Sequence, residues 1–102
     1  MYPFMTLNDN TEITYSSPLQ TADGEQVKVY IETPIQDGFK NATCYLPQYI
    51  WSNEGYSEIE MDRLKELVKS VAHILLRLSK EGGVGRAYTV YDLRVRHLLL
   101  AQ

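Results

Sequence analysis

The chain has 102 residues, of which 44% are hydrophobic and 23% are charged, and its formal net charge is −3. This length and composition predict one globular domain, residues 1–102, with a modest core, and they exclude a compositionally disordered chain. Ten basic residues against thirteen acidic ones disfavour a general nucleic-acid binder. Cys44 is the single cysteine, which excludes an intrachain disulfide and a cysteine-rich zinc site.

The start of the chain offers no targeting signal. The opening residues lack the basic start and apolar stretch of a signal peptide, and both Met1 and Met5 are candidates for the native start. We expect residues 1–10 to be loosely ordered. The longest apolar run, Val71 to Leu78, is well short of the roughly 20 residues that span a bilayer. Together with the single cysteine, these features predict a cytoplasmic protein that does not enter a membrane.

Two Asp-Gly pairs predict hairpin turns in the front half of the chain, at Asp23-Gly24 and Asp37-Gly38. The first turn sets Ser17 opposite Tyr30, and the second sets Tyr45 opposite Tyr30. Because directly paired residues share a face, these registers define a three-stranded meander with one apolar and one tyrosine-rich face. The predicted apolar face contains Val27, Val29, Ile31, Ala42, Cys44 and Leu46. The predicted polar face contains Tyr15, Lys28, Tyr30, Glu32, Thr43 and Tyr45.

A long amphipathic helix is predicted over residues 58–81. Ser57 is a suitable N-cap, Glu60 completes a capping box, and Gly82 ends the helix. Apolar residues recur at helical spacing, and their arc widens in the C-terminal half. A helix lying on a small sheet needs a narrower stripe than this. The surplus has two interpretations, contact with the C-terminal segment or contact with another subunit. The second predicts a homodimer formed through Ala72, Leu75, Leu76 and Leu78.

The segment after the helix is ambiguous by periodicity. Residues 82–85 form a glycine-rich connector. Residues 87–97 alternate as a strand would, yet the same region reads as a helix capped by Thr89, and both interpretations stay open. The predicted fold class is therefore α+β, with an antiparallel three-stranded β-meander packed on one long amphipathic helix and a C-terminal strand or short helix.

This order of strand, strand, strand, helix, strand, with the run Asp37-Gly38-Phe39 to Leu46-Pro47 before the helix, resembles that of HicB-type antitoxins. The resemblance implies a small regulatory protein that binds a protein partner. The family's leucine-proline-glycine-cysteine turn and its attached DNA-binding segment are missing here. No residue roles are therefore carried over.

Candidate catalytic residues are few. A thiol–imidazole pair would have to join Cys44 to His73 or His97, but Cys44 belongs to the predicted core face and His73 to the exposed side of the helix. The sequence 82–86 lacks the Gly-Lys-Ser/Thr ending of a phosphate loop. The helix dipole explains the acidic residues Glu54, Glu58, Glu60 and Asp62 without a metal. We expect no catalytic, metal or cofactor site, and hence no enzyme.

The aromatic composition is the most informative surface feature, since the chain has eight Tyr and one Trp but two Phe. Tyr and Trp are enriched at protein interfaces. Tyrosines also stabilise exposed sheet faces through cross-strand pairs, and the sequence leaves both interpretations open. The predicted partner-binding residues are Tyr15, Tyr30, Tyr45, Tyr49 and Trp51.

A second, smaller signal is basic. Arg86, Arg94 and Arg96 would suit an acidic partner or nucleic acid. The expected function is a non-enzymatic protein–protein interaction module, antitoxin-like or inhibitory and of phage or mobile-element origin. It would act by occupying a partner's surface. The alternative is a nucleic-acid-binding regulator that uses these arginines.

Overall fold

The computed structural model describes residues 1–82 and confirms an α+β fold, in which a six-stranded antiparallel sheet carries one helix. The strand order is β1-β2-β4-β5-β6, and β3 pairs with the start of β4. The elements are β1 (Tyr2–Thr6), β2 (Glu12–Tyr15), β3 (Leu19–Thr21), β4 (Gly24–Ile35), β5 (Gly38–Leu46), β6 (Ile50–Glu54) and α1 (Glu58–Lys80). Among these residues no helix combines the length and apolarity that crossing a membrane requires.

The helix prediction is confirmed almost to the residue. The Ser57 hydroxyl accepts from the Glu60 N–H at 3.1 Å, and the Glu60 carboxylate accepts from the Ser57 N–H at 2.9 Å. This capping box satisfies two donors that the helix start would otherwise leave unpaired. The helix ends at Lys80, and Gly82 follows with a φ of +73°, a conformation that favours glycine.

The central hairpin keeps the predicted faces in a different register. Its two-residue turn is Gln36-Asp37, so Val29 lies opposite Cys44, where the sequence predicts Leu46. The observed and the predicted partner of Val29 differ by two positions. Because side chains alternate between the two faces with a period of two, every residue keeps its predicted face. The predicted apolar face is buried as expected, at Val27, Val29, Ile31, Ala42, Cys44 and Leu46.

The pairing of β2 with β4 differs from the predicted register by an odd number of residues. This shift moves Tyr15 to the opposite face of the sheet. Tyr15 lies opposite Val29 and is 0% exposed, in the core and not on the polar face. The cause is an irregularity between β2 and β3. There the Ser16 N–H donates to the Lys28 carbonyl at 2.9 Å, and the Ser16 hydroxyl accepts from the Lys28 N–H at 2.9 Å. An extra residue at such a point moves the preceding side chains to the other face.

The structure contains two strands, β1 and β6, that the sequence does not predict. The N-terminus, expected to be loosely ordered, forms β1, and a bulge between Pro3 and Met5 lets both Phe4 and Met5 reach the core. The structure also contains β6, which pairs with β5. The three-stranded meander is thus part of a wider sheet. The connector from residue 83 onward, the predicted C-terminal strand or helix, and Arg86, Arg94 and Arg96 lie outside the described residues.

The wider sheet accounts for the wide apolar arc of α1. Ala72, Leu75 and Leu78 are buried in the same cluster as the sheet residues, and Leu76 packs against its edge. Ala72, Leu75 and Leu78 thus belong to the core of the described structure and do not form an exposed self-association surface, whereas Leu76 is only partly buried at the margin. Near the end of the helix, the buried Ser79 hydroxyl donates to the Ser16 carbonyl at 2.7 Å and ties α1 to the β2–β3 connection.

Candidate protein-interaction surface

The sheet has two unlike faces. Its core face packs against α1, and no helix or strand among residues 1–82 lies over the opposite face, which we call the outer face. Tyr30, Thr43 and Tyr45 on this face are only partly buried, whereas their neighbours Val29 and Cys44 are fully buried. The outer face therefore presents an ordered surface that the described part of the fold does not cover.

Three carboxylates and one amide form a row across the outer face, running Glu12, Glu32, Asn41 and Glu54 from β2 to β6. Directly opposite residues in an antiparallel pair have Cα atoms about 4.5–5.5 Å apart. Like charges placed in this way destabilise a sheet, so the Glu12–Glu32 pair opposes folding. Within β2, β4, β5 and β6, the outer face has one basic residue, Lys28. We call the row of Glu12, Glu32, Asn41 and Glu54 the glutamate row.

The next row is made of hydroxyl groups, running Thr14, Tyr30, Thr43 and Ser52. The Tyr30 hydroxyl donates to the Glu32 carboxylate at 2.9 Å. Partial burial raises the pKa of Tyr30 above its ordinary value, and the hydrogen bond to Glu32 and the charge of Glu32 raise it further. Tyr30 therefore stays protonated at neutral pH as an oriented donor that links the hydroxyl row to the glutamate row.

The third row, Lys28, Tyr45 and Ile50, completes the surface. Ile50 is 46% exposed, which is high for a large apolar side chain on a strand. Tyr45 thus lies between a cation and an exposed apolar group. Charge, hydroxyl groups and apolar area stand side by side on this one face, which is the mixture that protein interfaces use.

The five aromatic residues predicted to bind a partner do not form one surface. Tyr30 and Tyr45 share the outer face. Trp51 lies opposite Cys44 and so belongs to the core face, as the buried Tyr15 does. Tyr49 occupies the β5–β6 turn with a φ of +59° and is 42% exposed. Sequence reasoning missed the glutamate row because its members become neighbours only through strand pairing.

A cleft of about 160 Å³ lies between the start of α1 and the sheet. A chain of buried hydroxyl groups borders it, in which Thr33 Oγ1 is 2.5 Å from Thr11 Oγ1 and 2.8 Å from Tyr56 Oη. Burial raises the pKa of Tyr56 above its ordinary value. Because these hydroxyls hydrogen-bond to one another, we interpret the cleft as part of the junction that holds α1 on the sheet.

An ion pair strengthens the same junction, with Lys40 Nζ 2.6 Å from the Glu60 carboxylate and 5.4 Å from the Tyr56 ring centroid. The hydrogen bond from Lys40, with those from Ser57, lowers the pKa of Glu60 to about 2. A depressed carboxyl pKa stabilises the folded state at neutral pH. That contribution is lost as the pH falls from the ordinary value for Glu toward about 2. Within residues 1–82, no group of three or more His, Cys, Asp or Glu side chains is arranged to hold a metal ion.

The structure does not bring Cys44 and His73 together. Cys44 is 0% exposed between the sheet and α1, while His73 lies on the exposed side of the helix. Burial raises the pKa of the Cys44 thiol to about 12. A thiol in this state is neither a nucleophile nor a metal ligand at neutral pH. His97 lies outside the described residues.

We expect Cys44 to resist alkylation in the native protein. At pH 7 its thiolate fraction is smaller than that of a free cysteine by a factor on the order of 10³. Its reaction with iodoacetamide should therefore be slower than in urea by at least that factor, as mass spectrometry over time can measure. Equal rates in native and unfolded protein would show that the thiol is accessible and would reopen the case for a cysteine-based activity.

The fold and this surface define a class, an α+β protein whose sheet carries one helix and leaves a tyrosine- and glutamate-bearing face uncovered within residues 1–82. No family model, curated protein or solved structure matches the chain. The resemblance to HicB-type antitoxins depends on the order strand, strand, strand, helix, strand. The described order is six strands followed by a helix, so that resemblance does not extend to the whole sheet.

Proposed function

We propose that this chain is a non-enzymatic protein-interaction module that binds a basic protein partner through the outer face. The observation that carries the proposal is the glutamate row beside Tyr30 and Tyr45 on a face that no other element of residues 1–82 covers. The module acts by occupying its partner's surface, as small antitoxins and phage-encoded inhibitors do. We place this action in the cytoplasm.

The glutamate row supports the choice of a basic partner. Glu12 and Glu32 face each other at a cost to folding, and within residues 1–82 neither forms an ion pair with a basic side chain. Local features that oppose the stability of a fold tend to be functional. Lysine or arginine side chains of a partner would offset the repulsion and would accelerate association by electrostatic attraction.

The tyrosines supply the apolar area and the anchoring contacts. Each combines a large ring with a polar tip and few rotatable bonds, so little conformational entropy is lost on binding. Tyr30 is already oriented by its 2.9 Å hydrogen bond to Glu32, which reduces that loss further. Residues of this type commonly contribute most of the binding energy of an interface.

Nucleic-acid binding gains no support from the described surface. Three carboxylates on the outer face repel phosphate, and one lysine cannot reverse that field. The arginines that suggested this alternative, Arg86, Arg94 and Arg96, lie outside the described residues. The described surface therefore favours a protein partner over nucleic acid.

The test is a comparison of affinity captures from the native host with wild-type protein and the double variant Tyr30→Ala/Tyr45→Ala. We expect the double variant to lose a basic protein that the wild type retains. The loss should be at least tenfold, since two interface tyrosines together contribute several kcal/mol. The matched control, Lys65→Ala/Lys69→Ala, changes two exposed residues of α1 and should retain the partner fully.

Thermal unfolding of all three proteins separates lost binding from lost folding, and we expect similar midpoints. Raising the salt concentration should weaken capture by the wild type, and Glu12→Gln/Glu54→Gln should remove most of that salt dependence. If the double tyrosine variant and the wild type retain the same proteins in the same amounts, the outer face is not the binding surface.

A further inference from the structure

The edges of the sheet are not equally protected. An exposed edge strand offers unpaired backbone N–H and C=O groups to any other strand, and proteins usually block such edges with proline, bulges, lysine or short length. The edge strand β1 carries Pro3 and a bulge, and β3 has three residues. The opposite edge strand, β6, has no proline, bulge or lysine over Ile50–Glu54 and one charged residue, Glu54, at its end. No other strand among residues 1–82 pairs with its free side.

We propose that β6 pairs antiparallel with β6 of a second copy of the chain, with Ser52 on the two-fold axis, so that both sheets join into one. This inference concerns the sheet edge and does not rest on the proposed function. It also replaces the helix residues Ala72, Leu75 and Leu78, which are buried, as the means of self-association.

The proposed register follows from the sequence of β6. Centring the pair on Ser52 is the arrangement that uses all five residues of the strand. It sets Glu54 opposite Ile50 of the second copy, so that the two Glu54 carboxylates do not face each other across the junction. It also keeps the outer faces of both copies on the same side of the joined sheet, because outer-face residues of one β6 lie opposite outer-face residues of the other.

The rows of the outer face match across this junction. The hydroxyl row ends at Ser52, which meets Ser52 of the second copy, and hydroxyl pairs of this kind hydrogen-bond across strands. The glutamate row, ending at Glu54, continues into Ile50, Tyr45 and Lys28 of the second copy. Each glutamate row therefore meets an uncharged residue of the second copy at the junction, so the pairing brings no like charges together.

The same pairing satisfies the free backbone groups of β6 without covering Tyr30 or Tyr45. A strand of five residues buries little area, so the dimer should be weak and should dissociate on dilution. Two copies joined in this way would present two tyrosine pairs on one continuous face.

A charge-swap experiment on the full chain tests the proposal. In sedimentation equilibrium the wild type should approach twice the monomer mass as its concentration rises. Ser52→Lys and Ser52→Glu each place like charges on the axis and should each remain monomeric, while an equal mixture of the two should recover the dimer. A monomeric wild type at its highest soluble concentration, or a dimer that persists in both single variants, would overturn the proposal.

A crosslink gives a second measurement that does not depend on those variants. Directly opposite Cα atoms lie about 4.5–5.5 Å apart, within the range that a disulfide can bridge. Ser52→Cys should therefore form a disulfide-linked dimer under mild oxidation. The control Ser70→Cys, on the exposed side of α1, should not, and the buried Cys44 should stay silent in both. Equal crosslinking of the two variants would refute the Ser52-centred register.

Discussion

Replacing Tyr15 by alanine should lower the free energy of unfolding by about 3–5 kcal/mol, the cost of removing a buried aromatic ring. Tyr15 is 0% exposed, and its ring lies 5.5 Å from that of Tyr2 and 6.3 Å from that of Phe4. Small domains are stable by about 5–15 kcal/mol in total. Tyr15→Ala should therefore lose a large fraction of its stability, and urea unfolding followed by circular dichroism can measure the loss.

The matched control is Tyr45→Ala, which removes the same side chain from the outer face. Because Tyr45 is only partly buried, we expect a loss of about 1 kcal/mol or less. The two variants thus test whether Tyr15 lies in the core, as in the structure, or on the polar face, as its sequence pattern indicates. Equal losses in both variants would contradict the β2–β4 register and return Tyr15 to the surface.

Replacing Leu75 by alanine should lower the free energy of unfolding by about 2–5 kcal/mol, because it leaves a cavity between α1 and the sheet. Leu75 is 0% exposed and belongs to the main core cluster, whereas its neighbour Leu76 is only partly buried at the margin. Leu76→Ala should therefore cost clearly less. Chemical denaturation of the two variants under identical conditions gives the comparison.

The same pair of variants tests whether α1 mediates self-association. If the helix formed a dimer through Leu75 and Leu76, both substitutions would lower the mass observed in solution and Leu76→Ala would do so without a loss of stability. We expect neither variant to change the association state at concentrations where it remains folded. A Leu76→Ala protein that is stable but monomeric, beside a dimeric wild type, would restore the helix interface.

The candidate surface could be predicted in part. Tyr30 and Tyr45 share a face under any register shift of two residues, so the pattern of alternation assigned them to the correct face. Their predicted direct pairing is wrong, because Tyr30 lies opposite Thr43 and Tyr45 lies opposite Lys28. Glu12 and Glu54 could not be assigned to the same row, because they lie on β2 and β6 and meet only across two intervening strands. Without the pairing of β6, neither the row nor the open edge was visible.

The chain's own sequence determined α1, since capping, helical periodicity and a terminating glycine act within a few residues of one another. It also determined which residues of β4 and β5 face the core, because alternation survives an even change of register. Tertiary structure decided the rest. The face of Tyr15 depends on one extra residue near Ser16, and the strands β1 and β6 are too short to show a pattern of their own. Their pairing is decided by the sheet already in place, which supplies the hydrogen bonds and the apolar surface that a strand of five residues lacks.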